Sequence, residues 1–89
     1  MFTIVYEKGF YKDLDKIPDA DVERIMISVL ALAYDPMPNG CKKLKSKSGE
    51  YIFRIRQGDY RVLYQIDRLR KQVKIWCARH RKDVYKNIP

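Results

Sequence analysis

Residues 51–64, YIFRIRQGDYRVLY, contain two runs of alternating residues joined by Gly58-Asp59. Glycine at the first position of a two-residue loop is typical of a type II′ turn, so this stretch predicts a β-hairpin in which Arg56 lies opposite Arg61. Side chains alternate between the two faces of a strand, and directly opposed residues share a face. The hairpin therefore places Arg54, Arg56 and Arg61 on one face. The other face receives Tyr51, Phe53, Ile55, Tyr60, Val62 and Tyr64.

The arginine face has two interpretations. Like charges placed directly opposite each other on neighbouring strands are destabilising, so the Arg56–Arg61 pair lowers stability unless an anion binds there. Phosphate is the anion that best matches clustered guanidinium groups. The alternative is an ordinary hairpin with a solvated basic face. The hairpin alone leaves both interpretations open.

The composition favours an acidic partner. The 89 residues carry a formal net charge of +8, with a sequence pI near 9.6, and 46% of them are hydrophobic. Nucleic acid is the leading partner class and an acidic protein the second. No apolar run reaches membrane-spanning length and the first residues do not resemble a signal peptide, so we expect a cytoplasmic protein that does not bind a membrane.

The cysteine and histidine content predicts neither a metal site nor a cofactor. Cys41 and Cys77 are far apart and form no C-x-x-C motif, and His80 is the one histidine. Two distant thiols and one imidazole do not make a ligand set. We expect both cysteines to be reduced thiols, with Cys77 packed as a small hydrophobic residue.

The first half of the chain predicts one strand and two helices. Phe2 to Tyr6 reads as a strand, and Lys8 to Ile17 as a helix that ends before Pro18. A second helix starts with Asp19 as its N-cap and stops at Asp35-Pro36. Its apolar stripe predicts packing against a sheet, so a polar residue at Ile25 or Leu30 should unfold the protein. The stripe consists of Val22, Ile25, Met26, Val29, Leu30 and Ala33.

The second half of the chain predicts strands. Cys41 to Ser46 is an extended segment, the arginine hairpin follows, and Val73 to about Arg79 forms the last strand. Arg81 to Lys86 forms a short terminal helix or an ordered tail. The expected fold is a single α+β domain over residues 1–89, with the order β-α-α-β-β-β(-β). Its twisted antiparallel sheet carries the helical hairpin on one face.

The chain as a whole resembles the RelE/ParE toxin superfamily. The similarity rests on the order of elements, on Leu44-Lys45, on the arginine hairpin and on the ending HRKDVY at residues 80–85. The resemblance implies a RelE-like fold and a toxin that is neutralised by a cognate antitoxin protein. Members of the RelE branch cut messenger RNA in the ribosomal A site and so inhibit translation. The H-R-x-x-x-Y ending is similar to that branch.

The resemblance also implies roles for individual residues. Arg61 corresponds to a catalytic arginine, Arg54 occupies the position of a catalytic lysine, and either Arg79 or Arg81 corresponds to a second arginine. Ile52 departs from the pattern, because relatives carry another lysine there. The imidazole of His80 is therefore the candidate acid or base. The expected catalytic residues are Arg54, Arg61, His80, Arg81 and Tyr85, and the expected RNA-binding residues are Arg56, Arg79, Lys42, Lys43 and Lys45.

The reaction that the resemblance implies requires no metal. The 2′-hydroxyl of the RNA attacks the adjacent phosphate, and the partners are the ribosome and messenger RNA. Two alternatives remain. The ParE branch inhibits DNA gyrase and cleaves no bond. A module of the same fold that binds RNA or the ribosome without cutting would explain the lysine missing at Ile52.

Overall fold

The computed structural model describes residues 1–84. A five-stranded sheet runs in the order β1-β5-β4-β3-β2, and both helices precede β2 in the chain. This arrangement confirms the predicted α+β fold. The elements are β1 (Thr3–Tyr6), α1 (Lys8–Leu14), α2 (Asp19–Ala31), β2 (Lys42–Lys45), β3 (Tyr51–Gln57), β4 (Tyr60–Asp67) and β5 (Gln72–His80).

The β3–β4 hairpin has the register that its turn predicts. Gln57 pairs with Tyr60, and Arg56 pairs with Arg61. Gly58 has a φ of 60°, which the first position of a type II′ turn requires and which only glycine adopts without strain. The turn residue thus fixes which side chain lies on which face of the sheet.

The sheet is mixed, which corrects the expectation of a wholly antiparallel one. β1 pairs with β5 in parallel, from Thr3 opposite Gln72 to Tyr6 opposite Ile75, whereas the other neighbouring strands are antiparallel. The pairing joins the first strand of the chain to the last. A contact between strands so far apart in sequence leaves no local pattern, because turn chemistry reports only on neighbouring strands.

Several predicted element ends differ from the observed ones by a few residues. α1 ends at Leu14, three residues before the predicted end. The N-cap of α2 is Pro18 and not the predicted Asp19, which is the first helical residue. The carboxylates of Asp19 and Asp21 lie in the first turn, where negative charge is favourable. Residues 81–84 form turns.

The main core lies between the helices and one face of the sheet. Phe10 from α1 and Ile25 and Val29 from α2 are fully buried. The sheet contributes Phe53, Ile55, Val62, Tyr64, Val73, Ile75 and Ala78. The Tyr64 hydroxyl donates a hydrogen bond of 2.7 Å to the carbonyl oxygen of Pro36, which fastens the segment after α2 to the sheet. Burial raises the pKa of Tyr64 well above its ordinary value.

The apolar stripe of α2 is rotated from the predicted one. The side chain of Leu30 is 53% exposed, whereas Leu32 is 1% exposed and belongs to the core. Successive helical residues are about 100° apart, so Leu30 lies at the flank of an arc centred on Ile25 and Val29. The expectation that a polar residue at Leu30 unfolds the protein is therefore wrong.

A pair of alanine substitutions on α2 tests this rotation. Ile25→Ala should lower the free energy of unfolding by about 2–5 kcal/mol, because it leaves a cavity in the core. Leu30→Ala should change it by no more than about 0.5 kcal/mol, because the side chain already contacts solvent. Urea denaturation of the two variants measures both values. Equal losses would contradict the packing described here.

Candidate functional site

The face of the sheet opposite the helices, here called the open face, carries three arginines in a line. Arg61 on β4 lies directly opposite Arg56 on β3 and directly opposite Arg79 on β5. Directly opposed residues share a face, so the three arginines form a transverse row, here called the arginine row. Sequence reasoning predicted two of its members on this face and left Arg79 unplaced, because the β4–β5 register was unknown.

Neighbouring oxygen atoms relieve part of the repulsion within the arginine row. Arg61 Nη1 donates hydrogen bonds to the carbonyl oxygens of Gly58 at 2.9 Å and Tyr60 at 3.0 Å. Arg79 Nε lies 3.5 Å from Asp13 Oδ2 on α1. These contacts draw one guanidinium towards the hairpin turn and another towards α1, while Arg56 is exposed. The fold thus holds the middle of the row at Arg61 and one end at Arg79.

Asp13 is a residue that the sequence did not bring to attention. Its Oδ2 atom accepts a hydrogen bond of 3.1 Å from the backbone N–H of Ala78 and also contacts Arg79. It therefore holds both the edge of β5 and one side chain of the arginine row. No sequence signal could have shown this, because α1 and β5 lie more than sixty residues apart.

A second pair of basic residues lies one step along the strands. Lys42 on β2 pairs with Arg54 on β3, so both side chains lie on the open face. The Arg54 side chain is only 7% exposed. Burial of a guanidinium is costly, and the position of Arg54 beside the arginine row adds to the positive charge of the open face. The predicted site residues Arg54, Arg56 and Arg61 are thus brought together, with Arg79 and Lys42.

An apolar strip lies beside these cations. Ile52, Leu63, Cys77 and Val84 form a buried cluster on the open face, flanked by Leu44 and Trp76. Val84 comes from the segment after β5, so that segment returns to the open face and covers the strip at Val84. The predicted catalytic Tyr85 lies outside the described residues. Burial raises the pKa of the Cys77 thiol to about 11.

His80 is not brought to the arginine row. It pairs with Tyr60, which packs on the helix-covered core, and the two rings meet edge to face with centroids 5.8 Å apart. His80 Nδ1 accepts a hydrogen bond of 3.3 Å from the backbone N–H of Lys82. Successive residues of a strand point to opposite faces, so His80 and Arg79 diverge.

The other predicted site residues are also separated from the row. Arg81 is exposed beside the hairpin turn, with its Nε 3.9 Å from Asp59 Oδ1. Lys43 and Lys45 alternate with Lys42 along β2 and therefore point away from the open face. The Nζ atom of Lys43 lies 3.8 Å from the ring centroid of Tyr51. Of the two candidates for a second arginine, only Arg79 is opposite Arg61.

Residues 1–84 contain neither a candidate metal cluster nor a membrane-spanning helix. Among residues 1–84, no three His, Cys, Asp or Glu side chains are grouped so that they could hold a metal ion. None of the helices in that part of the chain has the length and apolarity needed to cross a membrane. The chemistry on the open face is that of cations and apolar side chains, which suits a phosphodiester with attached bases.

Comparisons with known proteins show the family of the chain and relatives of its fold. A family model for the ParE toxin of the type II toxin–antitoxin system, parDE, matches residues 4–85. An archaeal RelE–RelB complex from Pyrococcus horikoshii OT3 contains a chain 29% identical to this one, with a TM-score of 0.77. The alignment covers 90% of this chain and 94% of that one. No curated protein matches the sequence.

Two further solved structures share the fold. In the toxin–antitoxin complex RelBE2 from Mycobacterium tuberculosis, identity is 28% and the TM-score is 0.62, over 89% of this chain and 96% of that chain. YafQ from Escherichia coli BL21(DE3) is 15% identical with a TM-score of 0.75, over 96% and 99% of the two chains. At that lower identity the similarity is one of fold alone.

The arginine row should lower the free energy of unfolding of the protein. Arg56→Gln is expected to raise the free energy of unfolding by about 0.2–1 kcal/mol at low salt, because it removes like charges placed opposite each other. The gain should shrink at high salt, where the repulsion is screened. Urea denaturation at both salt concentrations measures it. Arg24→Gln is the control, since Arg24 Nη1 lies 3.5 Å from Asp21 and this substitution should give no gain. A loss of stability in Arg56→Gln would contradict the prediction.

The two thiols should differ in reactivity. Iodoacetamide at mildly alkaline pH should modify Cys41, which is partly exposed, much faster than Cys77, because the buried Cys77 thiol stays protonated. Val84→Ala should speed the modification of Cys77, because the smaller side chain shields the thiol less from solvent. Mass spectrometry of peptides over time measures both rates. Equal rates in the unsubstituted protein would show that Val84 does not close the strip.

Proposed function

The chain belongs to the ParE toxin family of type II toxin–antitoxin systems, and from that premise we propose that it is an endoribonuclease that cuts messenger RNA on the ribosome. Its partner within the system is a cognate antitoxin protein. The proposal places its action in the cytoplasm, in the ribosomal A site, where cutting of messages inhibits translation. No metal takes part in the proposed reaction.

The arginine row is the observation that carries the proposal. Three arginines occupy directly opposed positions on three neighbouring strands, with Arg54 and Lys42 one step away on the same face. A guanidinium stays protonated and presents paired N–H donors that match phosphate oxygens. Such a row can hold a phosphodiester and stabilise the additional negative charge of its pentavalent transition state. A protein with a purely structural sheet would have no reason to keep this local repulsion.

The proposed reaction uses a nucleophile from the substrate. The 2′-hydroxyl oxygen attacks the neighbouring phosphorus, the bond from phosphorus to the 5′-oxygen breaks, and a 2′,3′-cyclic phosphate forms. One proton leaves the 2′-hydroxyl and one is delivered to the departing 5′-oxygen. We assign Arg61 and Arg79 to stabilising the charge on the reacting phosphate, and Arg54 and Arg56 to binding that phosphate. None of them is assigned a proton transfer, because arginine is a poor base at neutral pH.

The proton transfers are assigned on the family resemblance. Relatives use a tyrosine near the end of the chain, and Tyr85 directly follows Val84, so we assign the main part in proton transfer to Tyr85. The placement of His80 beside Tyr60, on the helix-covered side, does not support direct contact with the same phosphate. Ile52, where relatives carry a lysine, is 2% exposed within the apolar strip and cannot transfer a proton.

Inhibition of DNA gyrase is the second candidate. The matching family model is that of the ParE toxin. The buried Ile52 and the divergent His80 also leave residues 1–84 with fewer groups for proton transfer than a nuclease typically offers. A protein that binds gyrase without breaking a bond needs neither group. The two candidates differ in their products, since only a nuclease creates new 5′-hydroxyl ends.

Replacement of Arg61 separates the candidates. Arg61→Ala should slow cleavage of ribosome-bound messenger RNA about 100-fold or more, because it removes a positioned donor to the transition-state oxygens. Mapping of new 5′-hydroxyl ends measures the rate. Arg24→Ala is the matched control, because it removes an exposed arginine from α2 instead.

Two results would contradict the proposed nuclease. One is a folded Arg61→Ala variant that cuts as fast as the unsubstituted protein, which would remove the arginine row from the mechanism. The other is an unsubstituted protein that leaves messages intact while it inhibits supercoiling by purified gyrase, which would establish the second candidate.

A further inference from the structure

Trp76 stands at an irregularity in β5. Leu63 pairs with Cys77 and Tyr64 pairs with Ile75, so Trp76 is an extra residue with no partner position on β4. Such a bulge redirects a side chain. The Trp76 ring packs against the apolar strip of the open face, on the same side of the sheet as the arginine row.

Two hydrogen bonds fix the orientation of the indole. Trp76 Nε1 donates to Gln65 Oε1 at 2.8 Å, and Gln65 Nε2 donates to Glu50 Oε2 at 2.9 Å. The relay crosses from β5 to β4 and on to the residue before β3. An indole has one donor and no acceptor, so this relay satisfies its hydrogen bonding completely. The ring remains only partly buried.

Trp76 packs against the apolar strip but is not buried with it. Ile52, Leu63, Cys77 and Val84 are each 2% exposed or less, whereas Trp76 is only partly buried. Trp76 lies at the margin of that cluster. The Nζ atom of Lys74 lies over the ring, 5.6 Å from its centroid, and 3.9 Å from Glu7 Oε1, so a partly exposed cation adjoins the aromatic surface. A fixed aromatic surface with an adjacent cation is the combination that binds a base and its phosphate in single-stranded nucleic acids.

The spacing along β5 connects this surface to the arginine row. Trp76 and Arg79 are three residues apart, which is at most roughly 10 Å at the rise of an extended strand. A single RNA strand held at the arginine row can therefore extend as far as Trp76. The cations on both sides favour a polyanion over an apolar protein segment.

We propose that Trp76 is a stacking platform for a base of the RNA strand whose phosphate the arginine row holds, and that Lys74 binds the adjoining phosphate. This inference rests on the proposed nuclease function and adds a residue that positions the substrate. Stacking accepts every base because every base has an aromatic face. Trp76 therefore sets where the strand lies and does not select a base.

Fluorescence provides a direct test, because Trp76 is the one tryptophan of the chain. The full-length protein is titrated with a single-stranded RNA whose 2′-oxygens are all methylated, which blocks cleavage, and which carries a terminal dye. Dye anisotropy reports binding, and tryptophan emission reports stacking. We expect Trp76 emission to be quenched along the same curve as the anisotropy rises.

Substitutions separate stacking from folding. Trp76→Ala should weaken binding of the oligonucleotide by roughly 5- to 140-fold, the loss that corresponds to one stacked base. Trp76→Phe retains an aromatic face and should recover most of the affinity, which also controls for a folding defect in the alanine variant. Tyr34→Ala is the matched control, because it removes an aromatic ring that is 80% exposed just after α2 and should leave binding unchanged.

The possible failures are distinguishable. Rising anisotropy without quenching, or a folded Trp76→Ala variant that binds RNA normally, would overturn the platform while leaving the nuclease proposal intact. A Trp76→Ala variant that binds RNA normally but loses affinity for the cognate antitoxin would make this surface a protein interface and overturn the platform as well. The absence of any binding by the unsubstituted protein, on the oligonucleotide and on ribosomes programmed with message, would overturn the nuclease proposal itself.

Discussion

The register of the β3–β4 hairpin is the constraint on which the other features depend. Gly58 adopts the positive φ of a type II′ turn, and that turn sets Arg56 opposite Arg61. A slip by one residue would exchange the two faces of the strand, because the side-chain period is two. It would turn Arg54 into the core and expose Phe53. Several kcal/mol oppose an unpaired charge in a core, so the register is strongly specified.

The fixed register divides stability and function between the two faces of one sheet. The helix-covered face contains the main core, in which Val62 and Tyr64 are fully buried. The open face carries the arginine row, where the sequence accepts a repulsion that a purely structural sheet would avoid. Local conflicts of this kind are characteristic of functional sites, and the rest of the fold compensates for them. Here the compensation comes from the opposite side of the same strands.

The accuracy of the sequence-based predictions follows the range of the interactions involved. The hairpin was predicted in detail because turn chemistry and alternation act between neighbours in sequence. The parallel β1–β5 pair, the role of Asp13 and the position of Trp76 could not be predicted, since they depend on contacts between distant segments. His80 is an intermediate case. Once β5 was known to extend to residue 80, alternation alone would have placed it opposite to Arg79.

The error at the end of the α2 stripe, where Leu32 and not Leu30 belongs to the core, has a similar origin. The predicted stripe was correct at Ile25 and Val29, in the middle of α2, and wrong at the end, where the helix finishes at Ala31. The helical period gives the width of an apolar face but does not say on which of its flanks the core lies. That choice is made by the sheet on which the helix packs.

The placement of α1 also protects the margin of the sheet. Beyond the end of β1, α1 runs along β5. A Cβ on Gly9 would lie 3.2 Å from the carbonyl oxygen of Trp76, and the Ala78 N–H already donates its hydrogen bond to Asp13. At the opposite margin, β2 is only four residues long and three of them are lysines. Short, charged or covered margins resist the addition of strands from other molecules. A toxin separated from its antitoxin is thereby guarded against fibre-like self-association.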